Sequence, residues 1–212
     1  QICKREIKEK IMFAIVKDGA ITKTGTSFRQ LFPNTSFPAN GPNSAFRSEN
    51  GVMEVVNAEQ KDRVYYYVTQ GDIVLVDGVP TQQYTNTAKR LVDEDAKDSD
   101  GNQLYVQVYD PDFDNGEGNE KGKMVNTSEK QINQGLKTSM TSQVKTTANR
   151  MLAKTDWMVI RKAERDVAIP SATVTYRAAV ITECARLETA ITNASDVDAL
   201  AAVMSAQNWP AE

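Results

Sequence analysis

The chain has 212 residues, 40% of them hydrophobic and 25% charged, with a formal net charge of −3. That length holds one large domain or two small ones, the balance is ordinary for soluble protein, and the mild acidity speaks against a dedicated nucleic-acid binder. No apolar run approaches the ~20 residues needed to span a bilayer as a helix.

The chain contains no histidine. That removes Ser-His-Asp and Cys-His catalysis and most zinc and non-haem iron sites. Cys3 and Cys184 stand far apart without CxxC spacing, which suggests neither a disulfide scaffold nor a zinc site and suits a reducing cytosol. Charge is unevenly placed. From Asp93 to Lys121 ten acids face two bases, a net −8, which leaves +5 for the remainder. Such a belt can steer partners or simply be a solvated loop region.

Residue 1 is Gln, and Met12 heads the segment Phe13-Ala-Ile-Val-Lys-Asp-Gly19. The preceding run Lys8-Glu-Lys-Ile-Met12 has the purine-rich codons of a ribosome-binding site. Translation is therefore expected to start at Met12, with residues 1–11 as read-through of upstream DNA; the alternative is a short amphipathic helix over 4–10. The apolar stretch Ile11 to Val16 is too short for a secretion signal.

Residues 12–90 are expected to form a small β-rich domain. Phe13 to Val16 is a continuous apolar strand closed by the turn signal Asp18-Gly19. Leu31 to Pro42 holds too many Pro, Asn and Gly for regular structure, and Phe32 and Phe37 should pack beneath that loop. Val52–Val56, Arg63–Val68 and Asp72–Val76 read as strands. Gln70-Gly71 and Asp77-Gly78 punctuate them as hairpin turns. An antiparallel meander is the simplest product.

Residues 91–123 are expected to be an acidic hairpin and loop. Leu104 to Tyr109 alternates like a strand, and Asp110 to Lys123 is polar and glycine-containing enough to be a mobile loop. Residues 124–212 should be helical. From Ser128 to Lys154 the apolar positions Ile132, Leu136, Met140, Val144 and Ala148 recur every four residues, a narrow stripe suited to a partner helix. A second helix, capped by Thr155 or Asp156, runs through Glu164. Ser171 should cap a third, with Val180, Cys184, Leu187 and Ile191 along one face. Ser195-x-x-Asp198 resembles a capping box before a last helix. The fold class is therefore α+β, with an antiparallel β-rich N-terminal domain, a long helix and a C-terminal helical hairpin or bundle.

Sites are few. Asp110, Asp112 and Asp114 match the first three ligand positions of a calcium loop, but Asn115 stands for the required Gly and Lys121 for the bidentate Glu. A solvated acidic loop is the preferred alternative. Gly122-Lys123 lacks the remaining residues of a phosphate loop, Met124 replacing Ser or Thr. Tyr65, Tyr66 and Tyr67 with Arg63 could stack bases or sugars, although one face of that strand should be core. Cys184 reads as a small buried hydrophobe. No set of base, acid and oxyanion donors can be assembled, so neither enzyme nor cofactor is expected.

The run Leu152-x-x-Thr155-Asp-Trp157, the charged helix to Glu164, the break Ile169-Pro170 and the pair Tyr176-Arg177 resemble the C-terminal module of bacteriophage tail assembly chaperones. The resemblance covers residues 150–180 and, loosely, the tail to 212. Met158 and Asp166 depart from the family pattern, which favours an aromatic and a Gly there. The opening Ala14-Ile-Val-Lys-Asp-Gly19, Leu31-Phe-Pro33 and Gly51-Val52 are similar to N-terminal parts of phage tail-fibre and tail-assembly proteins. The resemblance implies a non-enzymatic protein that binds other tail proteins in the host cytoplasm during virion assembly. Alternatives are a tail-fibre or baseplate component retained in the virion and a host-surface glycan binder. Other tail proteins are the implied partners, a second copy is a further candidate, and neither nucleic acid nor membrane is expected. Trp157 is expected either to bury against the helix of Val180 and Leu187, which is the preferred reading, or to make a docking surface for another tail protein together with Arg161, Glu164, Tyr176 and Arg177; the two agree if Trp157 is core and Arg161 and Arg177 are rim. Trp, Tyr and Arg are the residues interfaces favour.

Overall fold

The computed structural model describes residues 11–114, 116 and 121–211. Expectations for residues 1–11 therefore lie, Ile11 apart, outside the described residues. The architecture is α+β, with small, mainly antiparallel sheets preceding the helices. The chain divides between Thr87 and Ala88 into two compact units.

In the first unit, β1 (Phe13–Lys17) and β2 (Ala20–Gly25) form a hairpin. Its turn residues Asp18 and Gly19 both take positive φ, the backbone twist a two-residue hairpin requires. Two short helices follow. α1 (Phe28–Leu31) is capped by the Ser27 hydroxyl, and α2 (Ser44–Glu49) by the Asn43 carboxamide, each accepting a first-turn N–H. β3 (Val52–Glu54) then pairs with the other side of β1. The core is Phe13, Ile15, Leu31 and Val52, with Phe28 and Phe32 against it. Phe37 packs edge-on to Phe32 and Phe46, with ring centroids 6.0 and 5.2 Å away. The proline-rich loop is thus held by the two phenylalanines the sequence marks for it.

Gly51 is the tightest backbone contact of this unit. Its φ is +63°, and a Cβ added there would lie 2.1 Å from the Val16 carbonyl oxygen, while Val16 N–H donates to the Gly51 carbonyl. Gly51→Ala is expected to cost about 1–3 kcal/mol for the left-handed conformation alone, plus the displacement of β1. Urea denaturation of wild type and variant measures it. An unchanged midpoint would refute the contact.

β4 (Val56–Asn57), β5 (Tyr66–Val76) and β6 (Val79–Ala88) make a second sheet in the order β4-β6-β5. β4 runs parallel to β6, so the unit is not the simple meander expected. Nor does the chain turn at Gln70-Gly71. β5 continues through it, because Gln82, only 4% exposed, donates to the Gly71 carbonyl and accepts from Gln70 Nε2. The turn at Asp77-Gly78 is present, again with both φ positive. Tyr66 is buried and Tyr67 exposed, which assigns one face of the tyrosine strand to packing.

The acidic region clusters with the helices in the second unit and is not a separate segment. β7 (Glu94–Asp95) pairs with β10 (Ile132–Asn133), and β8 (Tyr105–Asp114) with β9 (Lys121–Lys130). The mobile loop expected from Asp110 to Lys123 is instead, among the described residues, the outer part of this ribbon. Asp110 stands opposite Lys123 and Asp114 opposite Lys121 in its register. Oppositely charged cross-strand residues favour that pairing, which a count of charges along one strand does not reveal.

α3 (Leu136–Ala153) begins eight residues later than expected, and Ile132 lies in a strand. The cause is distant. The Asp93 carboxylate accepts from Gly135 N–H and the Thr138 hydroxyl, and the carbonyls of Arg90 and Leu91 accept from Leu136 and Lys137. These are the orphan donors of a helix start. The Gly135 N–H foremost, then Thr138, holds the Asp93 carboxyl below its ordinary range. Leu136, Met140, Val144 and Ala148 are buried as the spacing predicts, and α3 packs on α5 (Ser171–Asn193).

α4 (Asp156–Arg165) precedes α5, and α6 (Val197–Ser205) closes the unit against α5 and α3. Three caps differ from expectation. Pro170 stands at the start of α5, Thr155 makes no side-chain cap to α4, and the α6 cap is Asp196, which accepts from Ala199 N–H. The buried face of α5 is Val180, Glu183, Leu187 and Ile191. Cys184 is half-buried and donates to the Glu188 carboxylate, and burial first, then that carboxylate, pushes its thiol pKa up.

Glu183 is the acid that the apolar spacing hides. Its carboxylate accepts from two nitrogens of Arg186 and from Asn208 N–H, while Arg186 also donates to the Ala206 carbonyl. This network ties the C-terminal segment to α5. The Arg186 hydrogen bonds first, and Asn208 next, hold the Glu183 carboxyl below its ordinary value against the opposing effect of burial. A depressed folded-state pKa stabilises above the unfolded value and is lost as pH falls through the folded one. Amide exchange at residues 206–209 is therefore expected to accelerate as pH drops below the ordinary carboxylate range, after correction for intrinsic exchange. Glu183→Gln should flatten that response.

Candidate partner-docking surface

α4 is an amphipathic helix with no buried residue. Trp157 is 52% exposed and Ile160 56% exposed, with Val159 open beside them. The expected burial of Trp157 against Val180 and Leu187 is therefore corrected. α3 and α6 already occupy the inner face of α5, and Trp157 at the first turn of α4 stays outside. Arg161, one turn on, places its guanidinium 4.8 Å from the indole centroid, a cation–π pairing that holds the flat ring over the helix. Glu164 continues the same face at the exposed far end of α4. The helix ends at Asp166, whose φ is +54° and whose carboxylate pairs with Lys162.

Arg177 differs from its expected place on the rim. Its side chain is 19% exposed and reaches from α5 to the α3–α4 junction. It donates to the Leu152 carbonyl at 2.8 Å and the Thr155 hydroxyl at 2.7 Å, and pairs with Asp156 at 2.9 Å. The Thr-Asp of the Thr-Asp-Trp run is thus the receptor for Arg177, and the clamp fixes where α4 starts. Trp157 is the next residue. Tyr176 is half-buried and lines a pocket of about 240 Å³ with Lys154, Thr155, Ala172 and Thr173. Its hydroxyl and the Arg161 Nε are buried without a hydrogen-bond partner among the described residues.

The five residues marked by sequence therefore fall into two groups. Trp157, Arg161 and Glu164 present one face of α4, whereas Tyr176 and Arg177 hold the junction beneath its start. Sequence reasoning missed Ile160, Val174 and Ile181, all exposed. The available signal was the excess of apolar residues on α5 beyond one buried stripe. Ile181 also borders a second pocket of about 300 Å³ with Ala148, Leu152, Cys184 and Ala185. These features offer apolar area with planar aromatic and guanidinium anchors, which suits protein docking.

Asp110, Asp112 and Asp114 follow one another along the extended strand β8. Asp110 and Asp114 each accept a backbone N–H two residues on. Among the described residues no three His, Cys, Asp or Glu side chains are gathered as a metal site would need. No described helix is long and apolar enough to cross a membrane. Comparison with protein-family models, curated proteins and solved structures finds no match to this chain.

Proposed function

We propose that this chain is a non-enzymatic bacteriophage tail assembly protein that binds other tail proteins in the host cytoplasm during virion morphogenesis. The observation that carries the reading is α4, a helix with no buried residue whose exposed face bears Trp157 stacked on Arg161. A large aromatic side chain left half in water is costly unless a partner covers it, at roughly 25 cal/mol per Å² of apolar surface. The resemblance of residues 150–180 to the tail assembly chaperone module agrees with it, since the clamp of Arg177 on Thr155 and Asp156 uses residues of that motif. Thr-Asp and Tyr-Arg act as the frame, and Trp157 as the anchor.

Mass spectrometry of purified particles beside the infected-cell lysate tests the proposal. Peptides abundant in lysate and absent from particles are expected. Stoichiometric peptides in the particle would replace the assembly factor with a tail-fibre or baseplate component.

A further inference from the structure

Among the described residues the β8–β9 ribbon is a sheet of two strands only, and such a ribbon is marginally stable by itself in water. Both faces carry apolar residues in the open. Tyr109 and Met124 form one cross-strand pair, 63% and 48% exposed, and Val108, 47% exposed, faces Val125. Both edges present outward backbone groups, as the edges of any two-stranded sheet do.

The edges also differ in charge. Short of the tip, β8 carries Asp110 and no base, and β9 carries Lys123 as its complement of opposite sign, Lys130 being already bonded to Asp95. Within one chain the register already sets Asp110 opposite Lys123, Tyr109 opposite Met124 and Val108 opposite Val125. The outer edges display the same two sequences. A second copy placed beside the first, its β8 against the first copy's β9, stays antiparallel and repeats the same matches. The ribbon contains its own complement.

We propose that this ribbon is completed by the ribbon of a second copy of the chain, in the order β8-β9-β8-β9. The mating stretch is Gln107–Asp110 against Lys123–Asn126, where the register is unbroken; beyond it the Tyr105 carbonyl already accepts from Gln131 and the Glu129 N–H already donates to Thr127. Toward the tip the edge is closed to pairing: Pro111 has no N–H to donate, and the Asp112 N–H is taken by the Asp110 carboxylate. Because the two mating edges are different surfaces, each copy keeps one of each free. The contact is heterologous, so it closes into a ring or continues as a filament.

Sedimentation velocity of the full chain over a wide dilution series, at low and high salt, tests this. At low salt, species above the monomer should grow with concentration. They should shrink toward monomer near 1 M salt, where the screening length is about 3 Å. Asp110→Lys should lower the average mass, and adding Lys123→Glu in the same chain should restore it. Val108→Lys, at an exposed position of the ribbon, should also return the protein to monomer with its circular dichroism unchanged. A wild-type chain that stays monomeric throughout the low-salt series overturns the proposal. So does self-association that Val108→Lys leaves intact.

Discussion

Leu187→Ala is expected to lower the stability of the helical unit by about 2–5 kcal/mol, the range for removing a large aliphatic side chain from a packed interior. Leu187 has no exposed surface, and Val180, Ile191 and Leu200 share that property, with Val144 at 1%. It sits on α5, the helix against which both α3 and α6 pack. Truncation therefore opens a void with little chance of collapse, since its walls belong to several elements. Urea denaturation followed by helical circular dichroism gives the number. A loss below about 1 kcal/mol, typical of partly exposed positions, would mean that α5 is not the centre of this unit. Ile181→Ala, on the exposed face of the same helix, is the control and should stay within about 0.5 kcal/mol.

Trp157→Ala is expected to do the reverse, sparing the fold and weakening the proposed interaction. The indole is 52% exposed and α4 has no buried residue, so stability should change by about 0.5 kcal/mol or less. As the anchor of a docking surface, its loss should weaken partner binding by about 2 kcal/mol or more, roughly thirtyfold. Under the proposed function, co-purification of wild type and variant from infected cells, followed by titration with the partner recovered, reads the change. Arg161→Ala should lose less, because it removes the stacking cation and leaves the ring. Equal recovery of partners by wild type and Trp157→Ala would exclude the α4 face as the docking surface. Arg177→Ala separates frame from anchor: it should impair binding together with the thermal stability of the α3–α4 junction, since three of its contacts are made there.

The candidate surface was half legible in the sequence. Trp157, Arg161 and Glu164 do share a helix face, as their spacing dictates. The sequence places Arg177 on the rim because Arg is an interface residue in general. It serves as a clamp here because the α3–α4 turn leaves the Leu152 carbonyl and the Thr155 hydroxyl within its reach. The sequence favours Trp157 inside because large aromatic residues usually are. It is outside because α3 and α6 had already covered the inner side of α5.

Local chemistry was decided by the sequence alone. Leu136, Met140, Val144 and Ala148 recur every four residues and form a buried stripe, since a helix returns to the same face at that interval. Asp18-Gly19 and Asp77-Gly78 take the left-handed conformations that consecutive residues of those types tolerate. The α+β order follows from where these two periods occur along the chain. Tertiary structure decided the rest. Ile132 became strand and α3 began at Leu136 because Asp93, Arg90 and Leu91, over forty residues away, receive its first donors. β5 ran straight through Gln70-Gly71 because Gln82 bridges it. Glu183 went inside because Arg186 and Asn208 meet its charge. Period and turn type depend on neighbours along the chain; coverage and charge compensation depend on neighbours in space.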